Sequence, residues 1–268
     1  MEKKKKQQKK NDYWASRTAN AQARLTDKSI AETEAQMRKY YAKSMENILG
    51  QFEKTYNKVF SNMSEGKEPT PADLYKLDSY WKMIAQTQQE LQKLGEKQMV
   101  LLSNSFVKQY DAIYKSLALP GEASFSTIDT QLAHQMLNSI WCADGKSWSD
   151  RVWMNTELLQ QTLNDNLIHC LVTGKKTTDL IRILRAEFDV SYRRAEMLVR
   201  TEMAHIQTQA AQQRYKDYGI SLVEVLADED ERRCPECGKL HGKRYPINGK
   251  MPIPVHPNCR CCIIPVVD

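Results

Sequence analysis

The sequence predicts a mainly α-helical protein with long N-terminal helices and a small α+β C-terminal lobe stapled through its Cys and His side chains. Three observations carry this. Apolar residues recur at helical spacing over most of the 268-residue chain, and Gly is sparse at ten. Six of the nine Pro fall from Pro235 onward, and none lies between Pro120 and Pro235. Five of the seven Cys are gathered between Cys234 and Cys262, in that same tail.

The net charge of +6 is concentrated at one end, since MEKKKKQQKK alone carries six Lys and one Glu. A segment that repels itself and has nothing apolar to bury is predicted to be disordered, so residues 1–11 read as a basic arm. Such an arm suits either solubility or the neutralisation of nucleic-acid phosphates. The charged start has no apolar run behind it, unlike a secretory signal. No stretch of about 18 apolar residues occurs, so no spanning helix and no membrane partner are expected.

Residues 12 to 62 read as one helix, with Ile30, Met37, Tyr41, Met45, Ile48, Phe52, Tyr56 and Val59 at steps of three, four or seven. SNMSEGKEPTP breaks it, and Thr70–Pro71 opens the next helix in good cap order. There Leu74, Leu77, Trp81, Ile84, Leu91 and Leu94 form a near-heptad stripe, with Gln88 in the polar slot. Two long antiparallel helices would bury these faces against each other or a partner, and Pro120–Gly121 ends the second.

A second helical set is expected from near Trp141, carrying Val152, Leu159, Leu163, Leu167, Cys170 and Leu171 on one side and ending at Gly174. Thr177 or Thr178 should cap a short helix through Phe188, and Ser191 a longer one to Tyr218, closed by Gly219. SLVEVLA alternates as a strand does, and KRYPI and CCIIPVV suggest further short strands with turns around the cysteines. Cys142 and Cys170, in apolar contexts, read as core thiols. The chain thus divides into the arm 1–11, a long-helix region 12–120, a helical region 121–218 and a Cys-rich lobe 219–268.

The chemistry sits in that lobe. Cys234-Pro-Glu-Cys237 is a CxxC knuckle, whose spacing lets two thiolates reach one Zn²⁺ at about 2.3 Å. His256-Pro-Asn-Cys259-Arg-Cys261 offers an imidazole and two more thiolates within six residues. A tetrahedral shell needs four ligands. The favoured set is Cys234, Cys237, His256 and Cys259, with Cys261 as the substitute for His256 or Cys259. Cys262, on the opposite face of a strand, is the least suited.

Disulfides would need an oxidising compartment, a redox CxxC needs a βαβ context, and core cysteines are not flanked as in RRCPECGK. A lobe of roughly 45 residues has little apolar surface, whereas a structural zinc supplies on the order of 10 kcal/mol. Four plausible ligands favour a closed, structural site over a catalytic one, for which His241 and Glu202 would be the candidate bases. Glu202 and His205 share an apolar stripe with Leu198 and Ile206. A carboxylate there needs a partner, and Arg200, Arg232, Arg233 or Arg260 could provide an ion-pair clasp between helix and tail.

The run AEMLVRTEMAHIQTQAAQQRYKDYGI, then ADEDERRCPECGKLHGKRYP, then HPNCRC and an apolar strand ending at Pro265, resembles the phage Mu F-like minor head proteins. The resemblance covers residues 145–268, from WSDRVW through FDVSYRRAE to the tail. DYWASR leading into a long helix is similar to the amino-terminal regions of such proteins in tailed phages of Gram-positive hosts. It implies a structural, non-enzymatic protein of the virion interior, made in the host cytoplasm. Its implied partners are the portal, the major capsid protein and, through the Lys arm, packaged phage DNA, with roles in head morphogenesis, packaging or ejection. Arg200, Thr201, Glu202, Cys234, Cys237, His256, Cys259 and Cys261 are shared motif positions; Cys262 is a departure. Some relatives carry toxin domains beyond the shared region, and none is expected within a chain that stops three residues after Pro265. A nucleic-acid-binding zinc module and a zinc-dependent hydrolase are the competing readings.

Overall fold

A computed structural model describes residues 2–61, 70–75, 77–117, 139–173, 177–227 and 233–266. The helices are α1 (Glu2–Ser61), α2 (Pro71–Tyr75), α3 (Asp78–Ser116), α4 (Trp148–Val172), α5 (Thr177–Asp217) and the short α6 (Pro235–Leu240). Strands β1 (Leu222–Leu226), β2 (Arg244–Pro246) and β3 (Cys262–Pro265) form one antiparallel sheet in the order β2-β1-β3. The predicted mainly helical chain with a small α+β end is what the structure shows. Among the described residues no helix is long and apolar enough to cross a membrane. The expected stops at Pro120–Gly121 and Gly174 lie outside the described residues.

Contacts gather the chain into two units, Met1–Thr33 with Leu102–Gly145 and Met197–Asp268, and Glu34–Leu101 with Lys146–Glu196. Helices α1, α3 and α5 each contribute to both, so the units cut across the linear segments that the sequence suggests. Helical backbone also extends back to Glu2, into the Lys-rich segment predicted to be disordered. Lys and Gln are good helix formers, and the segment continues a helix already nucleated downstream.

In the second unit α1 and α3 run antiparallel: Tyr41 bonds Gln98 (3.3 Å) while Ser44, one turn on, bonds Glu90 (3.1 Å). Met37, Tyr41, Ile48, Phe52 and Val59 are buried as expected, whereas Met45 and Tyr56 sit half-buried at the margin. The stripe on α3 is shifted from the predicted one. Tyr80, Met83, Thr87, Leu91 and Leu94 are buried, while Trp81 is 53% exposed and Gln88 is exposed. The Thr70–Asp73 capping box does start a helix, but only the five-residue α2. A new helix starts at Asp78, and the restart resets the phase that Leu77 would have set.

Helix α4 starts at Trp148, not near Trp141, with Ser147 and Asp150 bonding each other's backbone N–H as a capping box. Residues 139–147 form instead a non-helical strap. Cys170 is buried as expected, but Cys142, on this strap, is only half-buried. Helix α5 runs unbroken where a break at Ser191 was predicted. No Gly or Pro interrupts it, and Ser191 is wanted elsewhere: its hydroxyl lies 3.3 Å from the Tyr41 hydroxyl, and its carbonyl accepts from Asn155 (2.9 Å). This network is dry enough to push the Tyr41 phenol up to about 12.

The first unit holds the sheet. Val266 N–H donates to Leu222 O (3.0 Å), so in the alternating ladder Cys262 and Ile264 face β1 while Ile263 and Pro265 turn their backbone outward. Pro265 therefore costs no ladder bond. The outward carbonyl of Ile263 is taken by Gln22 Nε2 of α1 (3.2 Å) and by the Tyr215 hydroxyl (3.4 Å). The buried face of α1 is polar here: Thr18, Gln22, Thr26 and Thr33. Thr26 donates to Gln207 (2.7 Å) and accepts from Gln109 (2.6 Å).

Candidate metal centre

The CxxC knuckle opens helix α6, an element not predicted for the tail. Cys234 is its N-cap in extended conformation, Pro235 fits the first turn, and Cys234 Sγ accepts from Cys237 N–H (3.3 Å). One helical turn brings Cys237 round to the same side, where it is buried. The second loop lies between β2 and β3 in the chain. Cys259 N–H closes onto His256 O (3.2 Å), and Asn258 between them adopts the left-handed conformation, φ 61°.

His256 Nδ1 lies 2.8 Å from Pro257 O. A carbonyl only accepts, so Nδ1 carries the hydrogen and Nε2 turns a lone pair toward the knuckle. Nε2 is 3.1 Å from both Cys234 Sγ and Cys237 Sγ, and Cys237 Sγ is 3.8 Å from Cys259 Sγ. Two thiolates about 2.3 Å from a tetrahedral Zn²⁺ stand about 3.8 Å apart, so this sulfur pair needs no rearrangement. The nitrogen–sulfur contacts are a few tenths of an ångström shorter than the corresponding zinc edge of about 3.5 Å and would open slightly.

All five predicted donors converge, as two overlapping triads: Cys234, Cys237 and His256, and Cys237, Cys259 and Cys261. Ligand atoms within each triad lie within 4.8 Å of one another, and Cys237 is common to both. Cys262 belongs to neither; it is buried on β3, opposite Leu226. His241, a candidate base on sequence grounds, accepts at Nδ1 from Ala227 N–H (3.3 Å).

The electrostatics suit a cation. A hydrogen bond from Cys261 holds Cys259 down to about 5, and the same bond raises Cys261. Backbone N–H donation from Cys237 lowers Cys234, while burial pushes Cys237 up to about 12. The bond to the Pro257 carbonyl raises His256 above its ordinary value. The lowered Cys234 and Cys259 favour the thiolate form in which a cysteine ligates a divalent ion.

One turn of α5 stands beside this loop. Thr201 Oγ1 donates to Met197 O (2.6 Å) and accepts from Asn258 N–H (3.2 Å). Glu202 is 4% exposed, so its predicted burial holds. Its carboxylate accepts from the Trp141 indole N–H (3.0 Å), a partner that the sequence did not suggest; Arg232, one of the four arginines that it did, lies outside the described residues. Sequence reasoning missed Trp141 because it lies 61 positions away on the irregular strap. Thr201 was singled out only as a shared motif position; its place beside Glu202 was the available signal.

Residues 161–264 match the family described as Phage Mu protein F like protein. The chain is also 28% identical over 144 residues to an NAD(+)--arginine ADP-ribosyltransferase, EFV, of Enterococcus faecalis (strain ATCC 700802 / V583). That similarity covers 46% of this chain and 29% of the relative, so the chain spans less than a third of that protein. No solved structure matches the chain. The matched segment runs from the middle of α4 to β3 and takes in the Thr201 turn and all five metal candidates, and over those residues the chain is similar to the phage Mu F-like proteins.

Proposed function

We propose that the chain is a structural minor head protein of a tailed bacteriophage, sited inside the capsid or against the portal, and that it acts in head morphogenesis. The observation that carries this reading is the family match over residues 161–264. It favours a structural role over an enzymatic one, and the transferase named above is a protein of which this chain spans only 29%. The proposed partners are the portal and the major capsid protein. The six Lys of the first ten residues support a contact with packaged DNA, and through it a part in packaging or ejection. The protein would be made in the host cytoplasm and then held in the virion.

Within this reading the Cys/His cluster is a structural zinc centre. Cys234, Cys237, His256 and Cys259 would hold the ion, with Cys261 as the alternative fourth ligand and hydrogen-bond donor to Cys259. The ion would supply a cross-link between the start of α6 and the loop before β3. The 3.8 Å sulfur pair and the lone pair of His256 Nε2 support this set.

Locating the protein in purified heads tests the role. A tagged chain imaged in intact particles is expected at the portal vertex or on the inner face of the shell, and portal protein should co-purify with it. Heads that assemble with full infectivity and contain no copy of the chain would sink the proposal.

A further inference from the structure

A zinc centre built from two loops needs His256 and Cys259 held at a fixed position relative to the knuckle before the ion arrives, because ordering them at that moment costs affinity. We infer that Thr201, on α5 and outside the cysteine-rich tail, is the positioning residue that presets this loop; the inference rests on the zinc reading above. A Thr hydroxyl that bonds back to the carbonyl four residues earlier, as Thr201 does to Met197 O at 2.6 Å, is common in helices. That bond uses the hydroxyl's one hydrogen, so its lone pairs are left to accept. What they accept is the N–H of Asn258, 57 positions on, at 3.2 Å.

Asn258 is the residue between the two loop ligands, and its left-handed φ of 61° is a conformation that most side chains avoid. The Cys259 N–H is already committed to His256 O (3.2 Å) inside the turn. Thr201 thus fixes the remaining amide of the Pro257-Asn258-Cys259 stretch that can donate, since Pro257 has none. The loop is pinned from within by its own turn and from outside by α5. Asn258 is exposed and Thr201 half-buried. Water therefore competes for this bond, and its effect is to bias the loop toward the ligating shape.

The test uses the full chain and Co²⁺, whose thiolate charge-transfer and visible bands report the number of sulfur ligands. Thr201→Val keeps the shape and removes the acceptor; Thr201→Ser restores it. Thr208→Val is the control, because Thr208 makes the same backward bond, to Ala204 O at 3.0 Å, within α5. In competition with a chelator, Thr201→Val should bind Co²⁺ and Zn²⁺ roughly 10- to 100-fold more weakly, with Thr201→Ser and Thr208→Val within about threefold of the parent. Should the Val variant not fold, Thr201→Ala makes the same comparison. Equal affinity for Thr201→Val and the parent, or equal weakening by the Val and Ser variants, overturns the inference and leaves the zinc reading standing. A parent protein that takes up neither ion overturns both.

Discussion

The Trp141 ring lies flat on the His205 ring, centroids 4.4 Å apart and planes 9° from parallel, while its indole N–H reaches the Glu202 carboxylate. One aromatic side chain on an irregular strap therefore covers two buried ionisable groups on one turn of α5. The stack and the hydrogen bond are separable, and that makes the arrangement testable.

Replacing Trp141 by Phe keeps a ring over His205 but removes the donor. A buried carboxylate that loses a neutral donor is left with part of its desolvation uncompensated, so a loss of about 1–3 kcal/mol is expected. Urea unfolding of the variant and the parent checks this. A Trp141→Phe midpoint equal to the parent's would show that the indole bond contributes nothing.

His205 gives a pH dependence with a definite sign. Burial lowers it from 6.5 to about 4, and its Nε2 has no hydrogen-bond partner among the described residues. The folded protein therefore holds it neutral while the unfolded chain takes up a proton below 6.5. The associated stability is complete above the unfolded value and is lost as the pH falls from there toward the folded value. The loss approaches about 1.4 kcal/mol per pH unit within that window. His205→Gln should flatten this component of a pH series of unfolding midpoints. A parallel decline in parent and variant between pH 6.5 and 4 would rule His205 out as its source.

Purified protein should carry about one zinc per chain, and Cys234→Ser should lower that content and expose residues 233–266 to proteolysis. Chelation should do the same to the parent. Freshly purified protein with no metal and with its tail thiols oxidised to disulfides would defeat the zinc reading.

Deleting residues 1–10 should leave the unfolding midpoint unchanged, since beyond Met1 that segment is only Lys, Gln and one Glu. If the arm contacts DNA, losing its six Lys should reduce the slope of log affinity against log salt by up to about 5. An identical slope with and without the arm would assign any DNA contact elsewhere.

Most of the architecture was legible because one signal, periodic apolar spacing, dominates long helices: α1, α3 and α4 follow from it, and β1 follows from alternation. The metal candidates were legible for a different reason, since five soft donors crowded into 28 residues are rarely gathered for anything but a shared ion. Errors came where local chemistry has two uses. Ser191 looks like a cap, yet it serves a buried network with Tyr41 and Asn155 in mid-helix. Leu77 looks like the first rung of the α3 stripe, but the gap between α2 and α3 restarts the phase. Partners far apart in sequence, such as Trp141 with Glu202 and Thr201 with Asn258, leave no periodic trace.

The covered edge of β3 has a consequence for how this protein meets others. An open strand invites lateral growth of the sheet by any extended segment nearby, a hazard that rises with crowding. On this border the outward carbonyl of Ile263 is already engaged by Gln22 and Tyr215, and Pro265 has no amide to offer. Two of the backbone groups that a foreign strand would pair with are thus withheld. Recognition along that side then falls to helix surfaces and side chains, which discriminate among partners, and not to backbone pairing, which accepts nearly any sequence.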